Sequence, residues 1–275
     1  MILLDLVRSE HPIYFSKTLV IGCKSTYIIK GDEIVFEQID QKKQQLDAKR
    51  PLPKYTVQSL RAKLFLEWTY NSNAIEGNTL TINETKVVLE GITVGGKTMQ
   101  EHLEVINHRD AISYVEDIVR KEEPFSEWQI KNLHRLVLKG IDDGYAGVYR
   151  DQQVFISGAV HTPPPPFKIQ EQMDALMSWY DGEAQNLHPI VRGALLHVRF
   201  VGIHPFIDGN GRTSRLLLNL EFMKSGYPPI IIRVENRLAY YNALDKAHTT
   251  EDYEDFIELV AKEVEASLDL YLSAM

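Results

Sequence analysis

Apolar residues spaced three or four positions apart run from Thr56 to the end of the chain, and this period does most to limit the fold. Val57, Leu60, Leu64 and Trp68 share one helical face, with Gly77 as a stop. Leu103, Ile106, Ala111, Tyr114, Val115 and Ile118 line a longer helix that ends before Pro124. Ser126 and Gln129 suit a capping box for a helix running to Gly140. Met173, Leu176, Met177 and Tyr180 mark another, and Ile190, Ala194, Leu195 and Val198 mark one more. A helix ending near Gly226 and two over 238–248 and 251–272 complete a mainly α chain.

Two stretches depart from this period. Tyr27-Ile28-Ile29-Lys30, Gly31-Asp32-Glu33 and Ile34-Val35-Phe36 read as a small β-hairpin, and the polar run Gln41 to Arg50 reads as a connection ahead of Pro51 and Pro53. The expected division is an N-terminal arm, 1–50, and a main region, 51–275. Gln153-Val154-Phe155-Ile156-Ser157-Gly158 alternates and reads as a second short hairpin, followed by the stiff tract Pro163 to Pro166.

Composition narrows the function. A net charge of −8 argues against nonspecific binding to nucleic acid or to an anionic membrane. Cys23 is the single cysteine, so no intrachain disulfide can form and a cytoplasmic, reducing setting fits. Met1 to Leu4 begin like a signal peptide, but Asp5, Arg8 and Glu10 interrupt it. The longest later apolar run is cut by Arg192, His197 and Arg199, so no membrane span is expected.

The chemistry is concentrated in His204-Pro205-Phe206-Ile207-Asp208-Gly209-Asn210-Gly211-Arg212, which stands where a loop turns into a helix. Gly209 and Gly211 allow close backbone approach, and the N-terminus of the next helix favours anions. Asn210 offers a donor, while Arg212 and Arg215 offer two forks suited to phosphate oxygens. A polyphosphate cradle follows, and neither the P-loop nor the dinucleotide pattern is present. Asp208 is suited either to capping that helix or to holding Mg²⁺ beside the phosphates. His204, before Pro205, is expected to be extended and can serve as a general base or as a structural histidine. His197, two helical turns upstream, reads as structural. Farther back, Glu76 lies in the last turn before Gly77, where a carboxylate opposes the helix dipole unless a cation is near.

These residues carry a family resemblance. His204 to Arg215 resembles the Fic signature HxFx(D/E)GNGRxxR, with every fixed position filled, and Gly147-Val148-Tyr149-Arg150, Val154 to Gly158 and His161-Thr162-Pro163-Pro164 resemble the family's flap region. The resemblance covers most of 56–275 and implies packed helices with a β-hairpin flap, about 153–162. It implies transfer of AMP from ATP to a Ser, Thr or Tyr hydroxyl of a protein target, and of the enzyme itself. His204 would be the base, and Asp208 would hold Mg²⁺. Gly209, Asn210, Gly211, Arg212 and Arg215 would hold phosphates. Tyr240, Tyr241 and Asn242 stand where relatives contact adenine or ribose, or are ordinary packing. Phe155, Ile156, Ser157 and Gly158 would dock the target by strand pairing. Gly211 replaces the lysine of relatives that phosphorylate.

Ser72-Asn73-Ala74-Ile75-Glu76-Gly77 resembles the family's inhibitory motif (S/T)xxxE(G/N), placed on an N-terminal inhibitory helix near 68–77. By that likeness Glu76 pairs with Arg215 and occupies the γ-phosphate place. A homodimer is a further expectation of the resemblance. The competing readings are a de-AMPylase, a transferase using another nucleotide, and a non-catalytic ATP-sensing module.

Overall fold

The computed structural model describes residues 28–30 and 33–275. Met1 to Glu10, Cys23, Tyr27 and the Gly31-Asp32 turn lie outside the described residues. Strands β1 (Ile28–Lys30) and β2 (Glu33–Val35) occupy the expected N-terminal hairpin and pair antiparallel, with Ile28 opposite Val35 and Lys30 opposite Glu33.

The rest is mainly helical, and the first helix corrects the sequence reading. The run taken as a polar connection forms α1 (Glu37–Ala48). Its residues are good helix formers, and Ile39 and Leu46 alone supply the buried stripe. Helix α1 lies against α10 (Glu254–Ser273), where Lys42 pairs with Glu265 at 2.7 Å and with Asp269 at 2.8 Å.

Helix α2 (Lys54–Ile75) buries Leu60, Leu64, Trp68 and Ile75. It stops as expected: Gly77 takes φ +101°, and the Asn78 N–H donates back to the Asn73 carbonyl at 3.1 Å. Helix α3 (Ile82–Leu89) went unread because it is only two turns long, although Thr81 and Glu84 form a capping box. Helix α4 (Met99–Arg120) follows, opened by a second such box at Thr98 and Glu101. Helix α5 (Glu127–Leu138) starts after Ser126, but the expected box fails there. The Ser126 hydroxyl donates to the Gln129 side chain at 2.9 Å instead of accepting a backbone N–H.

Helices α6 (Ile169–Asp181), α7 (Pro189–Ile203), α8 (Asn210–Lys224) and α9 (Arg237–Thr250) complete the body. The core is built on α7 against α8. Leu216, Leu217, Leu218 and Leu220 are at most 1% exposed. Each such side chain contributes about 1.5–3 kcal/mol by burial. This packing fixes the α7–α8 connection, which carries the nine-residue motif.

The expected hairpin at Gln153–Gly158 is not found: among the described residues no strand is present there. The chain reverses at a turn in which the Ala159 N–H donates to the Ile156 carbonyl at 3.2 Å, with Gly158 at φ +82°. Alternation fails as a guide here because it marks which faces the side chains take, not whether a partner strand is present, and none pairs with this segment among the described residues. Phe155 is 78% exposed.

Candidate active site

The loop between α7 and α8 is braced from three sides. His204 caps α7 in the left-handed region, φ +50° and ψ 59°, not in the extended region expected before proline. Its N–H donates to the Phe200 carbonyl at 3.0 Å, and its carbonyl accepts from Arg150 Nε at 2.8 Å. Tertiary bonds thus impose a conformation that local sterics disfavour. Arg150 also donates to the Gln152 and Pro164 carbonyls, at 2.8 and 2.6 Å, so one guanidinium ties the flap segment to the loop.

Phe206 is fully buried and stacks on His134, ring centroids 3.5 Å apart. The Gly147 N–H donates to His134 Nδ1 at 2.9 Å, so Nε2 carries the proton and donates to the Asp208 carbonyl at 2.8 Å. The Asn210 side chain closes the loop. Its oxygen accepts from the Phe206 N–H at 3.0 Å, and its nitrogen donates to the Phe206 carbonyl at 2.9 Å. The amide thus braces the loop through its oxygen and one of its two N–H groups.

The cradle opens at the first turn of α8. Gly209 takes φ +74° at its N-cap, and a Cβ there would come 3.1 Å from Val137. Arg212 and Arg215 are both buried. Arg212 Nη2 donates to Asp208 at 3.1 Å, and Nη1 lies 3.4 Å from Glu104, while Nε has no protein partner. Asp208 also accepts from the Gly209 N–H at 2.6 Å, and its side chain is 60% exposed.

Glu76 reaches into this cradle from the end of α2. Arg215 Nη2 donates to Glu76 Oε1 at 2.7 Å and to the Ser72 carbonyl at 2.8 Å, while Nε donates to the Ser72 hydroxyl at 3.0 Å. The carboxylate fills the space over Gly211, where a Cβ would stand 2.1 Å from Oε1. Ser72, Glu76, Gly211 and Arg215 therefore form one cluster. Asn78, just beyond Gly77, donates to Glu104 at 2.8 Å, which links the same segment to the Arg212 side.

The electrostatics separate charged from neutral groups. Burial opposes the Arg215 charge, but Glu76 and Tyr240 hold the guanidinium above its ordinary range. Burial pushes His204 down to about 4, so its imidazole is neutral at pH 7 and free to accept a proton. Burial likewise lowers His134 to about 4, as its neutral bracing role requires.

The residues expected to contact adenine or ribose divide. Tyr240 is buried and accepts from Arg215 Nη1 at 3.3 Å. Tyr241 is 38% exposed and donates to the Ile75 carbonyl at 3.1 Å, at the end of α2. Asn242 is exposed and no hydrogen bond of its side chain joins the cluster. In the flap segment Phe155, Ser157 and Gly158 are exposed and Ile156 is partly so. Its far limb is anchored where the Val160 and His161 N–H groups each donate to Asp245 at 2.9 Å.

Sequence reasoning missed His134, Glu104 and the clamp role of Arg150. Arg150 stood in the Gly147–Arg150 run without a partner to suggest its use, and His134 had no local signal.

Comparison with known proteins agrees with this geometry. The sequence model of the Fic/DOC family matches residues 124–222. The chain is 39% identical over 248 residues to protein adenylyltransferase Fic of Nematostella vectensis, covering 88% of this chain and 57% of that protein. It is 40% identical over 220 residues to protein adenylyltransferase fic-1 of Caenorhabditis elegans, covering 78% and 42%. The chain thus spans about half the length of the curated relatives it matches. A solved structure of Fic-1 from C. elegans superposes with TM-score 0.80 at 34% identity, over 87% of this chain and 71% of that one. A Fic domain containing signaling protein from Bacteroides thetaiotaomicron gives 0.78 at 32% identity, over 86% and 95%.

Proposed function

The chain belongs to the Fic/DOC family, and from that premise we propose that it is an autoinhibited protein adenylyltransferase. It transfers AMP from ATP to a Ser, Thr or Tyr hydroxyl of a protein target, and to itself. The observation that carries this reading is the ion pair of Glu76 with Arg215 at 2.7 Å, inside an otherwise assembled cradle.

In the released state His204 takes the proton of the incoming hydroxyl as its oxygen bonds to the α-phosphorus. The bond from that phosphorus to the bridging oxygen breaks, and pyrophosphate leaves. The Gly211 amide and the Arg212 and Arg215 guanidinium groups hold phosphate oxygens, Arg215 the outermost. Asn210 serves by keeping the loop closed around Phe206.

Asp208 fits a Mg²⁺ held by one protein carboxylate with phosphates and water. Its side chain is exposed at the cradle mouth, and the described residues hold no cluster of three or more metal-ligating side chains. When bound, the ion would offset negative charge on the phosphates.

While Glu76 holds Arg215, the outer phosphate has no seat and the α-phosphate is out of line for attack. The second oxygen of Glu76 has no protein partner among the described residues. That oxygen favours a second reaction at the same site, in which Glu76 orients water to remove AMP from a modified target.

The exposed flap segment from Phe155 to Gly158 is the proposed dock for the target. Tyr241, beside the cradle on α9, is the proposed adenine contact. A cytoplasmic setting is supported by the single cysteine. Sedimentation of the purified protein checks the homodimer that the resemblance implies.

The test is intact-mass spectrometry after incubation with ATP and Mg²⁺. Glu76→Gly is expected to gain AMP adducts, and Glu76→Gly with His204→Ala is not. Adducts of another mass would point to a different transferred group. No adduct on any form or on added protein substrates would remove the reading. For the second reaction, wild type should release AMP from a modified target and Glu76→Gly should not.

A further inference from the structure

Arg215 has hydrogen-bond partners of two kinds. Ser72 and Glu76 both lie on the α2 segment that forms the brake, while Tyr240 lies on α9. Whatever draws the end of α2 away takes the first two together. Tyr240 is then the partner left to orient the guanidinium for a nucleotide.

The Tyr240 hydroxyl is itself held. It lies 3.0 Å from Nε2 of His197, on α7, and the Ser214 hydroxyl lies 3.0 Å from the same nitrogen while donating to the Gly211 carbonyl at 2.8 Å. His197 and Ser214 are fully buried, and Tyr240 is 1% exposed. Two hydroxyls from two different helices converge on one ring nitrogen. Packing of the imidazole against Phe256, centroids 4.9 Å apart, explains its burial but not that convergence.

We propose that His197 is a positioning residue, which acts through the Tyr240 hydroxyl to aim Arg215 at the outermost phosphate of the nucleotide. The inference rests on the cradle reading above and deepens it. Because the Ser214 proton goes to the Gly211 carbonyl, His197 Nε2 carries the ring proton and shares it between the Ser214 and Tyr240 oxygens, and the phenol oxygen held in this way accepts from Arg215. A buried imidazole is kept neutral for this by burial first and by the nearby Arg215 charge second. Ser214 steadies the ring from the loop side. Without that N–H, the phenol oxygen would lose one of the two donors that fix it in a buried site, and the Arg215 fork would lose its fixed direction. The consequence falls on the outer phosphates, because Arg215 does not serve the adenosine end.

The experiment is calorimetric binding of ATP and of AMP, with Mg²⁺, to the whole chain carrying Glu76→Gly to free the cradle. Onto that background go Tyr240→Phe, His197→Leu, both together, and His197→Gln, which keeps a polar nitrogen at similar reach. Tyr240→Phe and His197→Leu should each weaken ATP binding about three- to tenfold, the cost of one neutral hydrogen bond, with AMP binding unchanged within about twofold. The double change should cost no more than the worse single one, since both break one relay. His197→Gln should recover most of the loss. If His197→Leu does not fold, Tyr240→Phe decides, because it removes one hydroxyl and keeps the ring.

Equal losses for ATP and AMP, additive losses, or no loss would overturn the proposal while ATP still binds the Glu76→Gly protein. Failure of that parent protein to bind ATP would instead overturn the cradle reading, and this inference with it.

Discussion

The α7–α8 loop and the end of α2 meet at Arg215, but they are held in different ways. Loop atoms are pinned from many directions: Asn210 on the Phe206 backbone, His134 on the Asp208 carbonyl, Arg150 on the His204 carbonyl. Removing any one of these leaves buried polar groups unpaired. The Glu76 carboxylate makes one ion pair and is 32% exposed, so water screens part of what it contributes.

Along α2 the buried face also changes from Leu60, Leu64 and Trp68 to Thr69, Asn71, Ser72 and Asn73, ahead of the buried Ile75. Trp68 Nε1, Thr69 Oγ1 and Asn73 Oδ1, with both ring nitrogens of the neighbouring His108, have no protein partner. A close-packed apolar seam is costly to open, whereas an incompletely paired polar one gives up less. On the proposed reading, the two regions divide the labour: a cradle built to stay, and a stop built to leave.

Three measurements can break or sharpen that contrast. The largest effect belongs to the base. In the Glu76→Gly protein, His204→Ala should lower the transfer rate by about 10²–10⁴-fold, read from incorporation of α-labelled ATP. A small loss would leave the preformed loop without its chemical purpose.

Next comes the brace. Asn210→Ala should lower activity and stability together, costing about 1–3 kcal/mol for the unpaired Phe206 groups. Thermal melting reads this directly. Lost activity at an unchanged melting temperature would return Asn210 to direct phosphate binding and weaken the picture of a pinned loop.

The smallest effect is one of pH. Burial lowers His204 to about 4 from an ordinary 6.5, so the neutral base persists as pH falls and is lost only near the lower value. The acid limb of kcat/KM for the Glu76→Gly protein should accordingly lie well below pH 6.5. A limb at 6.5 would mean that the imidazole is solvated, and the loop more open than its bonds suggest.

How much of this could be read in the sequence depended on chain separation. His204 to Arg215 is contiguous, so residue type and spacing exposed the cradle directly. The long apolar stripes of α2, α4 and α7 were equally plain. The Glu76–Arg215 pair joins residues 139 positions apart, and only the family resemblance suggested it. His134 and Asp208 are 74 positions apart, with no motif to couple them. Helix α1 was hidden by polarity, because Ile39 and Leu46 alone face inward. The flap misled in the opposite sense, since alternation from Gln153 to Gly158 lacked a sheet to join. The bonds of Asn210 to the Phe206 backbone were not legible, because a donor beside a cradle looks the same in sequence whether it faces a phosphate or the loop's own backbone.

The most direct test is the ratio of initial AMP-transfer rates of Glu76→Gly and wild type, under identical ATP and Mg²⁺ concentrations. A removable stop on a finished cradle predicts a rise of about 10²-fold or more, since misplacement of the reacting phosphate by about 1 Å can cost that much. Equal rates in the two proteins would contradict it, and would make Glu76 an ordinary partner of a buried arginine.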